Sequence, residues 1–218
     1  MVLNNYRKEA DSILAPIAKK MSSVDPNTLS WIAFFSAVLA GVFFYLSSSP
    51  MIVLLGGVMV LSNSFFDAMD GKVAKMTGKD SIQGDFLDHS LDRYSDIFII
   101  GGIAMGPLSR TYLGFLALLG ILMTSYMGTQ AHAVGVGRDY GGVAGRADRL
   151  ILLLLFPILY VVMFNFYTVD LSLMGIDFSL FEILMVWFAV AGQYTAIHRG
   201  ISSWKELKSK KGKNGGGL

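Results

Sequence analysis

The sequence predicts an all-α, polytopic membrane protein: six transmembrane helices preceded by an interfacial amphipathic helix. Three observations predict it. Of the 218 residues 53% are hydrophobic and only 16% charged, against roughly 25% charged in an ordinary soluble domain, and the mean hydropathy is +0.53. No charged residue occurs anywhere from Pro26 to Phe66. Lys and Arg fall almost entirely in alternate connections between the apolar runs. This balance excludes a soluble globular enzyme and a disordered chain. The absence of cysteine excludes a disulfide scaffold, a thiol nucleophile and thiolate-bound zinc. A net charge of +2 with no soluble basic face gives no reason to expect a nucleic-acid partner. The opening residues, MVLNNYRKEADS, lack the apolar core of a cleaved signal peptide.

Each element has its own justification. Leu3, Tyr6, Ala10, Ile13, Leu14 and Ile17 recur at helical spacing with Lys and Glu between them, the pattern of a helix lying in the membrane interface. Pro16 is expected to kink or divide it. A span needs about 20 mainly apolar residues, so the long uncharged run holds two, separated at Ser47–Pro50. A third span begins near Phe86 and runs to about Met105, and a fourth from Tyr112 to Ala133. The fifth covers about Leu150 to Phe166 and the sixth about Phe181 to Ile201. The expected organisation is a juxtamembrane helix over 1–22, the six-helix membrane domain over 23–203 and a basic flexible tail over 204–218. Arg7, Lys8, Lys19, Lys20, Lys72, Lys75, Lys79, Arg138, Arg146, Arg149, Arg199 and the tail lysines all fall on one side, and only Arg110 on the other. The positive-inside rule therefore predicts both termini and the two basic loops on the cytoplasmic face of the plasma membrane.

Carboxylates inside spans are costly and point to function. Asp67 and Asp70 lie near the end of the second span, and Asp88, Asp92 and Asp96 in the third. At 100° per residue, Asp67, Asp70, Gly71 and Ala74 share an arc of about 100°. Gly84, Asp88 and Asp92 recur every fourth residue on the next helix. A short loop lets the two faces meet antiparallel, so four carboxylates converge. Such a cluster without cations would repel itself and take up protons. All-oxygen ligation suits hard divalent cations, Mg²⁺ or Mn²⁺, here two of them. Gly71, Ala74 and Gly84 leave room for a phosphate. The plainer reading is an ion-pair network with Lys72, Lys75, Lys79 and Arg93, which the alternation of small residues with acids disfavours. Asp85 and Asp96 are expected to support the ligands or to lie at an interface.

The series Asp67-x2-Asp70-Gly71-x2-Ala74-Lys75-x8-Gly84-x3-Asp88-x3-Asp92 resembles the signature of the CDP-alcohol phosphotransferases. Every spacing matches, and Lys75 alone departs, standing where the family usually has Arg. The resemblance covers the whole chain and implies a homodimeric intramembrane transferase that uses a CDP-linked lipid, CDP-diacylglycerol or CDP-archaeol. It implies that Asp67, Asp70 and Asp88 hold the metals. It implies too that Asp92 lies near a metal and is the general base for the acceptor hydroxyl, with CMP as the leaving group. Two metals can clamp the attacking and leaving oxygens of an in-line displacement. In relatives the Arg matching Lys75 contacts the nucleotide phosphates; Lys keeps the charge without the fork. Pro26, Asn27 and Thr28 resemble the entry to the first span that lines the nucleotide pocket. The same residues also read as an ordinary helix start, with Asn27 or Thr28 as the cap. Ser81 falls where relatives touch the CDP-lipid, and Gly71, Ala74 and Gly84 form the rest of that surface.

The acceptor is read from a second basic cluster. Arg146 and Arg149 lie three residues apart after the Gly-rich VGVGRDYGGVAG, and Arg199 ends the sixth span. The positive-inside rule alone accounts for basic residues there; an anion pocket accounts for their being arginine, which suits bidentate phosphate contacts. SYMGTQAHAVG, GRADR and IHRG resemble the subgroup acting on inositol phosphate, implying a phosphorylated polyol acceptor. Glycerol-3-phosphate, serine or an uncharged polyol are the alternatives within the family. An intramembrane prenyltransferase would carry its Asp motifs on helices far apart in sequence. A divalent-cation transporter would need a polar path through the far halves of the spans, which are apolar.

Overall fold

The computed structural model describes residues 7–137, 141–143, 145–166, 171–173 and 176–214. Seven helices follow one another: α1 (Arg7–Lys20), α2 (Pro26–Tyr45), α3 (Pro50–Thr77), α4 (Ile82–Met105), α5 (Thr111–Ala133), α6 (Arg146–Phe166) and α7 (Leu180–Asn214). Between α6 and α7 lie two three-residue strands, β1 (Leu171–Leu173) and β2 (Ile176–Phe178), paired antiparallel with Leu173 opposite Ile176. The sequence reading had no strand there. The strands are too short for a period-2 pattern to stand out against neighbouring apolar helices, and the fold remains helical.

The helices form a closed ring. α2 packs against α3 and α4, α4 against α5, α5 against α7, α7 against α6, and α6 back against α3. The centre is filled by Phe44, Phe181, Phe188, Ile99, Ile103 and Leu184, all almost wholly buried. Without water to drive helices together in a bilayer, close approach through small residues does the work. At the α2–α4 crossing Gly41 and Gly102 lie backbone to backbone, and a Cβ on either would overlap main-chain atoms of the other helix. Gly120 of α5 and Gly192 of α7 repeat the device, and Thr124 Oγ1 donates to Gly192 O at 2.8 Å beside them.

Among the described residues, α2, α3, α5, α6 and α7 are long and apolar enough to cross a bilayer. Only 17% of the α6 window is buried inside the protein, and Trp31, Phe35, Phe115, Trp187 and Val190 face outward from other helices. Such a continuous apolar exterior suits lipid, not water. α4 is 24 residues long and sits within the ring, but it carries Asp85, Asp88, Asp92, Arg93 and Asp96. The protein is thus an all-α, multi-pass membrane protein.

Several boundaries differ from expectation. α4 begins at Ile82, before Phe86, because Ser81 caps it: its Oγ accepts from Gly84 N at 3.0 Å. The N-cap of α2 is Asp25, accepting from Asn27 N at 2.9 Å, not Asn27 or Thr28; Pro26 takes the first helical position, where its missing N–H costs nothing. Pro16 does not divide α1, which runs unbroken from Arg7 to Lys20. Leu14 and Ile17 pack with Ala18 against Leu29, Met69 and Val73, so α1 rests on α3; Leu3 and Tyr6 lie outside the described residues. The segment expected as a flexible tail from residue 204 is helix through Asn214. Its Lys and Glu are good helix formers, and Glu206 and Lys210 pair one turn apart at 3.0 Å.

Candidate active site

The loop between α3 and α4 sets the site. α3 ends at Gly78, whose φ of 66° is the left-handed conformation that glycine adopts without strain. Lys79 N then returns to Ala74 O at 3.0 Å, closing the cap. The chain reverses and α4 starts at once, so the C-terminal end of α3 faces the N-terminal end of α4. The N-terminal turns of α2 lie between them. The result is a cleft of about 550 Å³ including its open mouth, lined by Pro26, Asn27 and Ser30 from α2, by Asp70, Gly71, Ala74 and Lys75 from α3, and by Ser81, Gly84 and Asp88 at the start of α4. One wall is bare: a Cβ on Gly71 would meet nothing within 4 Å. At Gly84 it would meet only Ser81 Oγ at 3.3 Å and Asn27 Oδ1 at 3.6 Å.

The aspartates come together as their spacing predicts. Asp67, Asp70 and Asp88 can each place an oxygen within 4.8 Å of the other two. Asp92 lies one turn further along α4 and is buried with Asp70. Asp70 is held from below, accepting from Ser30 Oγ at 2.6 Å. Ser30 was missed at sequence level, although it lies one turn after Pro26 and so shares its face. Pro26, Asn27, Gly71, Ala74, Lys75, Ser81 and Gly84 all line the cleft. Thr28 does not: it is exposed on the other side of the first turn. Lys79, Asp80 and Asp85 complete the lining and were not assigned to it beforehand.

The arginines stand differently from a free phosphate pocket. Arg146, the first residue of α6, donates through Nη1 to both oxygens of Asp67 at 2.8 Å, and its Nη2 is 2.5 Å from Asp92 Oδ1. Arg93 Nη2 reaches Asp92 Oδ2 at 3.5 Å, and Arg149 donates to Asp96 Oδ2 at 3.1 Å. The charges therefore alternate along Asp67, Arg146, Asp92, Arg93, Asp96 and Arg149. Arg149 and Asp96 are both buried, where an ion pair must be well matched to offset its desolvation. Arg199 of α7 is buried too, donating to Thr124 O at 2.7 Å and to Gly141 O at 2.9 Å, which ties α7 to α5 and to the loop before α6. Part of the disfavoured ion-pair reading is therefore present: Arg93 of α4 and Arg146 and Arg149 of α6 pair with Asp67, Asp92 and Asp96. Sequence could not give these pairings, since 79 positions separate Arg146 from Asp67.

Comparison with known proteins agrees with this geometry. Residues 24–195 match the family model for CDP-alcohol phosphatidyltransferase, a stretch that contains the whole cleft. The chain belongs to the CDP-alcohol phosphatidyltransferase family. Among curated members, the archaetidylinositol phosphate synthase of Pyrococcus horikoshii is 36% identical over 170 residues, 77% of this chain and 88% of that protein. The phosphatidylinositol phosphate synthase of Cutibacterium acnes is 31% identical over 163 residues, 69% of this chain and 75% of that protein. The crystal structure of the Mycobacterium tuberculosis phosphatidylinositol phosphate synthase with CDP-DAG bound superposes with a TM-score of 0.69 at 24% identity, covering 88% of this chain and 94% of that one. A second crystal structure of that synthase is a complex with manganese and citrate. These two structures share the fold of this CDP-alcohol phosphatidyltransferase.

Proposed function

We propose that this family member transfers the phosphatidyl or archaetidyl group of a CDP-linked lipid to a hydroxyl of inositol phosphate, releasing CMP. The observation that carries the reading is the meeting of three signature carboxylates at the head of a cleft walled by bare helix backbone at Gly71. The two synthases compared above by sequence are named for inositol phosphate products. That favours inositol phosphate as the acceptor over glycerol-3-phosphate, serine or an uncharged polyol.

The donor set fits Mg²⁺ or Mn²⁺: close-set carboxylate oxygens from Asp67, Asp70 and Asp88, with Asp92 adjoining and no sulfur ligand. Two such cations would be held by these four residues. They would supply charge neutralisation to the diphosphate of the donor and to the attacking and leaving oxygens. The rest is the work of the chain. Gly71, Ala74 and Gly84 let the diphosphate approach the helices, and Lys75 offers a cation at the cleft edge. Pro26, Asn27 and Ser81 bound the side that receives the nucleotide. Asp92 takes the proton of the acceptor hydroxyl as that oxygen bonds to the lipid-linked phosphorus. The bond from phosphorus to the CMP oxygen breaks, and CMP carries away the electron pair. Arg146, Arg149 and Arg199 form the cationic side on which the acceptor phosphate binds.

The same reading has six spans, α4 being the sixth, with α1 in the interface, and a homodimer in the plasma membrane. The cleft and both termini face the cytoplasm, so lipid tails stay in the bilayer while the nucleotide meets water. Residues 1–22 act as the membrane-surface element and 23–203 as the catalytic domain. The test is CMP release from CDP-diacylglycerol and from CDP-archaeol with a panel of acceptors. Turnover with inositol phosphate should exceed that with free inositol, serine and glycerol-3-phosphate. Preference for any of those three would overturn the acceptor, and no CMP release with any would overturn the transferase reading.

A further inference from the structure

Arg146 stands where the acidic cluster calls for a cation. Its Nη1 contacts both oxygens of Asp67 and its Nη2 contacts Asp92, two of the four carboxylates assigned above to the divalent cations. Two features argue that this position is not the only one the guanidinium serves. Its Nε is buried with no hydrogen-bond partner, and an unfilled buried donor is expensive. Arg146 is also the first residue of α6, where the helix dipole disfavours a cation. It is held there by the carboxylates, not by its own helix.

Charge balance says what displaces it. Fully ionised, the four carboxylates carry four negative charges, of which the guanidinium offsets one. Two divalent cations would offset all four. The attraction that holds Arg146 would then vanish, and the cations themselves would repel it. Arg149 sits one turn further along α6, so a released Arg146 remains beside the cationic side assigned to the acceptor phosphate.

We propose that Arg146 is a resident counter-cation that the divalent cations exchange: it neutralises Asp67 and Asp92 in the metal-free protein and, once displaced, binds the phosphate of the acceptor. The proposal rests on the metal-centre reading above. It makes cation and acceptor binding cooperative, and because coupling between sites is reciprocal, each tightens the other.

The experiment titrates the metal-stripped full chain in lipid nanodiscs with Mn²⁺, following the free-ion electron paramagnetic resonance signal, for wild type, Arg146→Gln and Arg146→Lys. Arg146→Gln should bind Mn²⁺ at least about tenfold more tightly than wild type, because charge-assisted contacts no longer have to be broken. Arg146→Lys should fall between the two. Inositol 1-phosphate should tighten Mn²⁺ binding about fivefold or more in wild type and leave Arg146→Gln unchanged, while free inositol changes neither. Equal or weaker Mn²⁺ binding by a folded Arg146→Gln overturns the exchange but leaves the metal centre standing. So does a wild-type affinity indifferent to inositol 1-phosphate, a measurement that needs no variant. If neither protein binds Mn²⁺, the metal centre falls and the exchange with it.

Discussion

Gly71 offers the sharpest separation of function from stability in the cleft. It sits inside α3, and a Cβ there would touch nothing within 4 Å. A glycine in a helix interior costs about 0.5–1 kcal/mol relative to alanine. Gly71→Ala should therefore stabilise the fold, and at about 2–4 °C per kcal/mol for a chain of this size its Tm should rise by about 1–4 °C. The same methyl group stands on the wall that the donor diphosphate must approach. Losing one charge-assisted contact is worth about 1.5–3 kcal/mol, or roughly 10- to 150-fold in kcat/KM at 1.4 kcal/mol per decade. Gly101→Ala is the control: it too is helical, with nothing within 4 Å of its Cβ, but it lies more than three turns from Asp88 along α4. It should gain the stability and keep the activity. The assay is CMP release against CDP-lipid concentration, alongside thermal unfolding in the same detergent. A stabilised Gly71→Ala with undiminished kcat/KM would refute the idea that bare backbone there serves the donor. A lower Tm would refute the packing argument.

Asp88→Asn should leave the protein folded but remove cation-dependent turnover, and wild type should stop in excess EDTA; near-normal activity in EDTA would contradict a metal-dependent site. Asp92→Asn should still bind CDP-lipid in an equilibrium assay while losing turnover, because most of the acidic cluster remains; matching losses of binding and turnover would make Asp92 a structural ligand. Lys75→Arg should be tolerated and lower the KM for CDP-lipid, since the fork adds a second contact. Arg149→Ala should cost about 3 kcal/mol or more in stability, because it strips a buried partner from Asp96. Adding Asp96→Asn should recover most of that stability but not the KM for inositol phosphate, and thermal melts of the two variants beside acceptor titrations check both halves.

The parts of the molecule that local periodicity determines were legible in sequence. The convergence of Asp67, Asp70 and Asp88 follows from 3.6-residue repeats on two helices joined by a short loop, and the cleft lining follows from the same arcs. What was not legible depends on contacts between distant segments. Arg146 reads as a loop-end arginine with a free head group until α6 is packed against α3. Ser30 looks like an ordinary residue of a helix start until Asp70 lies over it. The cap of α2 lies two or three residues before the Asn27 or Thr28 that the sequence suggests, because Asp25, Asn27 and Thr28 are all competent caps and Pro26 fixes only where the helix begins. The run of α7 to Asn214 was masked by composition, since a lysine-rich stretch reads as solvated chain until Glu206 and Lys210 are seen one turn apart.

The backbone contact between Gly41 and Gly102 has a consequence for how the site can move. With no side chain between them, α2 and α4 have no compressible layer across which to slide, and they behave as a single welded strut. Asn27 and Ser30 at one end of α2 are therefore fixed relative to Gly84 and Asp88 at the near end of α4. α3 touches α2 and α6 around that strut, and only the turn at Gly78 links it directly to α4 in sequence. A wider cleft would then require α3 to tilt against α2, to which the hydrogen bonds from Ser30 to Asp70 and from Asn63 to Ala33 O tie it. That tilt would carry Asp67 and Asp70 as a pair past two carboxylates that stay still.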